Sequence, residues 1–320
     1  MKRNAIRLAG LAAACLISGA AAAQSSSIVL CDDFDGQGFA ADGGLYYRDN
    51  LEQRAGTFEF QKQVKLHGAG ALKLSVKPMC EAADEGCSER AEIWEKSELR
   101  VPYDQGVWYG FAVKFGDPIL IDDHRYVFAQ WKREIEPGAE GDFSPFLALR
   151  MRYGKLFATV ETNYVMPLVN IAQNGVSGCG AGGVPVWFRP ETNQMRALVA
   201  TDAAWQPDDN DRFEGCTTAI KVVDHGNKLP RSMTGWIEFA VYTKPGPDGT
   251  GHIEIFANGK PIVTVTGHIG HADRDLGKNQ YFKFGPYRAG HINDWTLYYD
   301  DFKRSPRCAD VLGEGQCPFP

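Results

Sequence analysis

The chain has 320 residues, 44% of them hydrophobic, with 34 Lys and Arg against 40 Asp and Glu and a formal net charge of −6 at pH 7. An acidic balance gives no overall basic field to draw a polyanion from a distance, which excludes nucleic acid as a partner. The absence of internal repeats and of Pro/Ser/Gly linkers excludes solenoid and multi-domain arrangements and leaves one large domain.

Lys2, Arg3 and Arg7 precede an apolar run over residues 8–22, and Ala21-Ala22-Ala23 ahead of Gln24 forms a small-residue cleavage site. This is the pattern of a bacterial secretory signal peptide cleaved after Ala23, not of a membrane anchor. Cys15 lies inside the apolar run without a good lipobox before it, which argues against lipoprotein processing. Cleavage removes three basic and no acidic residues, so the net charge moves from −6 to −9. The expected organisation is a signal peptide over 1–23, one domain over 24–305 and a Cys-containing tail over 306–320, secreted or periplasmic, monomeric and without a membrane segment once processed.

Seven cysteines remain: Cys31, Cys80, Cys87, Cys179, Cys216, Cys308 and Cys317. In an exported protein these read as disulfides, and none has the paired spacing of a structural zinc site. Local pairing joins Cys80 to Cys87, Cys179 to Cys216 and Cys308 to Cys317 and leaves Cys31 over. An alternative joins Cys31 to one of the two tail cysteines and leaves the other free.

The body of the chain is a succession of period-two segments with aromatic and β-branched residues, separated by Gly, Pro and Asp turns. That pattern predicts an all-β fold, an antiparallel β-sandwich of the jelly-roll kind. Residues 90–100 read as one strand with Arg90, Glu92, Trp94, Lys96, Glu98 and Arg100 on an ionic face and Ala91, Ile93 and Leu99 on the buried one. Residues 107–115, rich in Trp, Tyr and Phe, read as a central strand. Residues 126–132 set Gln130 and Lys132 opposite Val127, Ala129 and Trp131. Residues 136–144 are short of hydrophobics and read as a turn region. Residues 146–152 turn Leu147, Leu149 and Met151 inward and Arg150 and Arg152 outward.

Residues 172–232 read as a long irregular segment, a wall or lid stapled by its cysteines, whose Trp187, Arg189, Trp205 and Arg212 are available to sugars. In residues 281–288, Lys283, Gly285 and Tyr287 share one face while Phe282 and Phe284 point into the core. Pro286 cannot donate to a sheet ladder, so the strand ends or bulges there and sets Tyr287 at the rim of a cleft. An ordinary solvated face mixes Ser, Thr and Lys, whereas these strands concentrate Arg with Gln, Trp and Tyr. Arg presents a planar fork to a carboxylate and aromatic rings offer platforms to sugars, so the face reads as a basic groove for an acidic substrate.

Ser97-Glu98-Leu99-Arg100, Trp108-Tyr109-Gly110-Phe111, Phe128-Ala129-Gln130-Trp131, Tyr281-Phe282-Lys283-Phe284-Gly285-Pro286-Tyr287-Arg288 and Trp295-Thr296-Leu297-Tyr298-Tyr299-Asp300-Asp301-Phe302 occur in this order. Together they resemble the heparin lyase I-like and glucuronan lyase-like polysaccharide lyases, over about residues 31–303. The resemblance implies a concanavalin A-like β-jelly roll and an eliminase acting on uronic-acid polymers. Elimination from a 4-linked uronate needs the C6 carboxylate neutralised, a base for the C5 proton and an acid for the leaving O4.

The resemblance carries the late-strand Lys and Tyr of the catalytic centre onto Lys283 and Tyr287. Gln130 and Arg100 are the expected neutralising groups, with Arg90 and Arg150 as further candidates. Glu98, Lys132, Arg288 and Trp187 complete the expected substrate contacts, and the favoured substrate is an unsulfated glucuronate polymer. A tyrosine with its reference value near 10 needs cations beside it to act as a base near neutrality.

One departure stands out: heparin lyase I-like enzymes carry Gln-x-His where this chain has Gln130-Trp131-Lys132. Either Tyr287 is the base alone or a histidine comes from elsewhere, His124, His67 and His291 being the candidates. Asp32-Asp33 and Asp300-Asp301 fall where the resembling jelly rolls often hold calcium, with Asp33 and Asp301 as the expected ligands. A glycoside hydrolase of this fold would need two carboxylates flanking the bond, yet Trp94 stands where the laminarinase-type signature has an aspartate. A non-catalytic glycan-binding module would keep the groove and have no need of Lys283 and Tyr287 together.

Overall fold

The computed structural model describes residues 28–49, 54–81, 87–139, 144–163, 169–170, 179–189, 192, 194–272 and 275–319. The expected signal peptide, residues 172–178, 190, 191 and 193 of the long segment and residues 140–143 of the turn region lie outside them. Among the described residues the chain is strand throughout, with helical structure confined to short 3-10 turns.

Two antiparallel sheets face each other. The back sheet runs in the order Ile220–Asp224, Lys260–Ile269, Gly246–Ala257, Trp236–Lys244, Val107–Phe115, Trp295–Ser305, Ala71–Val76, Gly56–Gln61, with Leu30–Asp32 also on Trp295–Ser305. The expected central strand, Val107–Phe115, lies in its middle. Its tightest hairpin turns at Asn258-Gly259, with φ of 51° and 72°, the paired positive values of the two-residue turn that matches strand twist. The groove sheet runs Val169–Asn170, Gly215–Thr217, Val184–Arg189, Gln194–Thr201, Lys155–Thr162, Leu147–Arg152, Tyr126–Ile135, Leu276–Ala289, Ile93–Glu95, Leu45–Tyr47. Ser88–Arg90 and Val101–Pro102 also pair with Leu276–Ala289.

One aromatic core fills the space between the sheets. Phe282 and Phe284, both fully buried, meet Trp131 and Tyr299 with ring centres 4.6 and 4.7 Å apart. A buried ion pair crosses this core, Arg304 Nη1 to Glu95 Oε1 at 2.6 Å. The same Glu95 accepts the Phe282 backbone N–H at 2.6 Å, so its charge is satisfied from both sheets, as a buried charge requires.

Three disulfides are formed among the described residues, Cys80–Cys87, Cys179–Cys216 and Cys308–Cys317, which is the local pairing. The bonding of Cys31 lies outside the described residues. The tail loop closed by Cys308–Cys317 is docked on the outer face of the back sheet, where Val311, Leu312 and Phe319 pack against Trp108 and Phe256.

Three local readings need correction. Residues 90–100 are not one strand: Ser88–Arg90 and Ile93–Glu95 are separated at Ala91-Glu92, and Ser97–Leu99 is a 3-10 turn. The break matches a bulge in the neighbouring strand, where the Ala91 N–H donates to the Pro286 carbonyl at 2.9 Å. Residues 172–232 are not one irregular segment: they contribute strands at Val184–Arg189, Gln194–Thr201, Gly215–Thr217 and Ile220–Asp224. Val127 does not share the core side of Ala129 and Trp131, because the register slips by one at Phe128, with Leu149 opposite Ala129 and Arg150 opposite Val127. A one-residue slip reverses the faces, and Val127 turns to the groove.

Candidate active site

A cleft of about 360 Å³ lies on the outer face of the groove sheet. Among the described residues 21 line it, of which nine are Arg or Lys and none is Asp or Glu. This concentration of one sign sits inside an acidic chain, so the field at the cleft opposes that of the whole molecule and selects anions locally.

The middle of the cleft is built on three adjacent strands. Lys283 is the direct cross-strand neighbour of Gln130 on one side and of Trp94 on the other. Beneath them Glu92, 1% exposed, accepts from Lys283 Nζ at 2.9 Å and from Gln130 Nε2 at 2.5 Å. Alternation along Arg90, Glu92 and Trp94 puts all three on the groove face, and Glu92, the shortest reach from the sheet, becomes the buried anchor of the pair above it. The carboxylate therefore fixes the ammonium and the amide side by side.

Tyr287 is delivered to this centre by the bulge. Two residues, Gly285 and Pro286, separate Phe284 from Tyr287 where the facing strand uses Phe128 alone. Gly285 has φ 126°, and a Cβ there would lie 2.1 Å from the Ala91 carbonyl oxygen, so no other residue fits without moving the strand. Beyond the bulge Tyr287 pairs with Arg90. The Arg90 guanidinium lies 4.1 Å from the Tyr287 ring centre, Arg125 4.9 Å and Lys283 Nζ 6.0 Å. A straight strand would hold positions 283 and 287 roughly 13 Å apart at Cα, yet these side chains converge. Three cations therefore lie against the Tyr287 ring.

The far wall is a second cationic group. Glu161, fully buried, accepts from Arg150 at 3.0 Å and Arg196 at 2.7 Å. Burial pushes Glu161 up, but Arg196 and Arg150 outweigh it and hold it below the usual carboxylate range. Burial, followed by the neighbouring Arg196, pulls Arg150 down to about 9, so it is still a cation near neutrality. Arg196 also lies 4.7 Å from the ring centre of its cross-strand partner Trp187. At the rim Arg152 bridges Asp123 and Asp211, and its hydrogen bonds hold Asp123 down to about 2.

The sequence matches the polysaccharide lyase family profile over residues 38–303. The chain belongs to the polysaccharide lyase family. Among solved structures, this lyase is similar to an endo-β-1,4-glucuronan lyase from the fungus Trichoderma reesei, at 15% identity and a TM-score of 0.57, covering 90% of this chain and 99% of that one. The cellulose-induced protein Cip1 (14% identity, TM-score 0.47, covering 87% and 97%) and the alginate lyase AlyC3 (15%, 0.44, covering 88% and 89%) follow with lower scores. These likenesses concern the fold, a jelly-roll sandwich. No curated protein sequence matches the chain.

The lyase cleft gathers Tyr287, Lys283, Gln130, Arg90, Lys132, Arg150 and Trp187 of the residues expected from sequence. Arg100 is not among its lining residues: its guanidinium lies 4.3 Å from the Tyr281 ring centre and pairs with Glu134 at 3.1 Å. The position beside Tyr287 belongs to Arg90, its cross-strand partner, while the 3-10 turn at Ser97–Leu99 interrupts the strand before Arg100. Glu98 is exposed on that turn and does not line the cleft. Arg288 is fully buried and bonds Glu89 at 2.6 Å, pointing away from the groove as the neighbour of groove-facing Tyr287 must. Of the three candidate histidines only His124 lines the cleft, packed against His291 and Tyr126 with ring centres 5.1 and 5.5 Å away.

The paired aspartates do not fit the calcium site expected of them. Asp33 accepts the Asp35 N–H at 3.1 Å, Asp301 pairs with His67 at 2.5 Å, and Asp300 takes the N–H groups of Leu66 and His67. Among the described residues no group of three or more His, Cys, Asp or Glu is gathered as metal ligands. Asp32 and Asp33 thus hold their own loop, Asp32 accepting from Phe34 and Ala40, while Asp300 and Asp301 tie the loop at His67 to the strand Trp295–Ser305.

Arg125, Arg196 and the anchors Glu92 and Glu161 were missed as site residues. Gln194-Met195-Arg196-Ala197 carried a usable signal, since Met195 and Ala197 are buried and alternation sets Arg196 on the opposite face. Arg125 directly precedes a strand and carried none.

Proposed function

We propose that this lyase cleaves 4-linked uronic-acid polymers by β-elimination, with glucuronate polymers favoured, and that it does so after export. The observation that carries the reading is a cleft whose charged lining, among the described residues, is cationic, around a phenol ring with three cations beside it. A uronate carboxylate seated over Lys283, Gln130 and Arg90 loses much of its charge to these donors, and the C5 proton becomes removable. Tyr287, acting as the phenolate, accepts that proton as the C5 carbanion forms, and the electron pair then expels O4 to give the C4–C5 double bond. The protonated phenol stands on the same side and returns a proton to the leaving oxygen.

A hydrolase mechanism finds no support, since it needs one carboxyl as acid and another as base or nucleophile on either side of the bond. Glu92 and Glu161 are buried beneath cations and engaged by them. The likeness in fold to a glucuronan lyase supports the choice of polymer. Three disulfides support export, because such bonds persist in oxidising compartments. The test is a screen of glucuronan, alginate, heparin, heparan sulfate and hyaluronan for absorbance gained at about 230–235 nm, the mark of a new unsaturated uronate. Reducing ends without absorbance would mean hydrolysis, and binding without either would mean a glycan-binding module.

A further inference from the structure

The groove face continues past the catalytic centre. Gln130, Lys283, Trp94 and Tyr46 are direct neighbours on four adjacent strands, a row of about 14 Å across the sheet. Trp94, on the side of Lys283 away from Gln130, stacks on Tyr281, two residues before Lys283 in the same strand, with ring centres 5.5 Å apart and planes at 17°. The Arg48 guanidinium lies 4.8 Å from the Trp94 ring centre, and that of Arg100 4.3 Å from the Tyr281 ring centre. Lys283 Nζ is itself 4.3 Å from the Trp94 ring centre, which joins this assembly to the centre.

The two rings are not open sugar platforms, being 8% and 4% exposed. What the surface offers is the guanidinium groups that cover them. Arg48 is half-buried, stacked and, among the described residues, without a carboxylate partner, while the charge of Arg100 is shared with Glu134. A guanidinium held flat on an aromatic face keeps its fork of donors ordered, so less freedom is lost when it grips a planar anion.

We propose that Arg48, seated on Trp94 and flanked by Arg100, forms a second carboxylate subsite. It takes the uronate adjacent to the ring being cleaved, and so favours polymers with a carboxylate on consecutive rings over those alternating uronate with hexosamine. The inference rests on the uronate-lyase reading above. The position fits one ring beyond the centre, since Trp94 stands one strand spacing, about 5 Å, from Lys283.

The experiment measures kcat and KM of the full chain on a homopolyuronate and on an alternating uronate–hexosamine polymer, for wild type, Arg48→Gln and Arg48→Lys. Arg48→Gln should raise KM on the homopolymer about tenfold with kcat within about twofold, as expected when binding common to ground and transition states is lost. Its preference for the homopolymer should shrink by a similar factor, Arg48→Lys should recover part of it, and the melting temperature should hold. A folded Arg48→Gln with wild-type KM and preference overturns the subsite while leaving the lyase reading intact. Loss matched by a fall in melting temperature and not relieved by Arg48→Lys assigns Arg48 a structural role and also overturns it. A wild-type enzyme that opens no uronate polymer overturns both readings.

Discussion

The Glu92 anchor gives the sharpest test of how this centre is held. Glu92→Gln keeps the shape of the side chain and removes its charge, leaving the Lys283 ammonium, 2% exposed, facing an amide where a carboxylate stood at 2.9 Å. Gln130 can still donate to the carbonyl oxygen of the new amide, so the loss falls on the lysine. Two responses are open to it. Keeping the ammonium without the Glu92 carboxylate costs about 3–5 kcal/mol, the usual penalty for breaking a buried pair. Shedding the proton costs about 4.6 kcal/mol at pH 7, from an ordinary lysine value near 10.4 and 1.36 kcal/mol per unit.

The cheaper route limits the damage, so destabilisation of about 3–5 kcal/mol is expected at pH 7. If proton loss is the route, the penalty shrinks by about 1.4 kcal/mol for each unit that pH rises toward 10. Denaturant melts of both proteins at pH 7, 8 and 9 measure this difference directly. A deficit under 1 kcal/mol at pH 7 would refute the reasoning, because it would mean that Lys283 does not depend on Glu92. A large deficit independent of pH would keep the pair and reject proton loss.

Tyr287→Phe should lower kcat about 10²–10⁴-fold with substrate binding retained, measured by absorbance and by titration with polymer, and near wild-type turnover would remove Tyr287 from the mechanism. Arg90→Gln should lower kcat about 10²–10³-fold, as for loss of a charge-stabilising donor, while Arg100→Gln should act mainly on KM; the reverse outcome would restore Arg100 to the centre. Gly285→Ala should cost about 1–3 kcal/mol from its positive φ alone, plus activity lost as the bulge moves, and an unchanged melting temperature would show that the bulge is not needed. Asp300 is raised by burial to about 6 from 3.8, so the folded state binds its proton more tightly and this group makes stability fall as pH climbs from 4 to 6, by at most about 3 kcal/mol. Asp300→Asn should remove that slope from the melting curve, and an identical pH dependence in both proteins would contradict it.

The strands at residues 107–115, 146–152 and 281–288, the local cysteine pairing as one of two readings, and the bend at Gly285-Pro286 were legible in the chain itself. These depend mostly on residues close in sequence: side chains alternate across a strand, proline lacks a donor, and two of the three bridges join cysteines 7 and 9 residues apart. The cationic character of the groove was legible for the same reason, because Arg150, Lys132 and Lys283 each declare a face within their own strand. What alternation cannot supply is which strands become neighbours and in what register. Arg90 rather than Arg100 meets Tyr287 because Ser88–Arg90 pairs with Leu276–Ala289 across nearly two hundred residues of chain. Val127 faces the groove because a bulge opposite Leu149 reverses the count, and Arg288 is buried because Glu89 waits on the adjoining strand. The arginines of Val184–Arg189 and Gln194–Thr201 join the cleft only because those strands extend the same sheet. Register and neighbour identity are set by long-range pairing and shared burial, so they appear only when the whole sandwich closes.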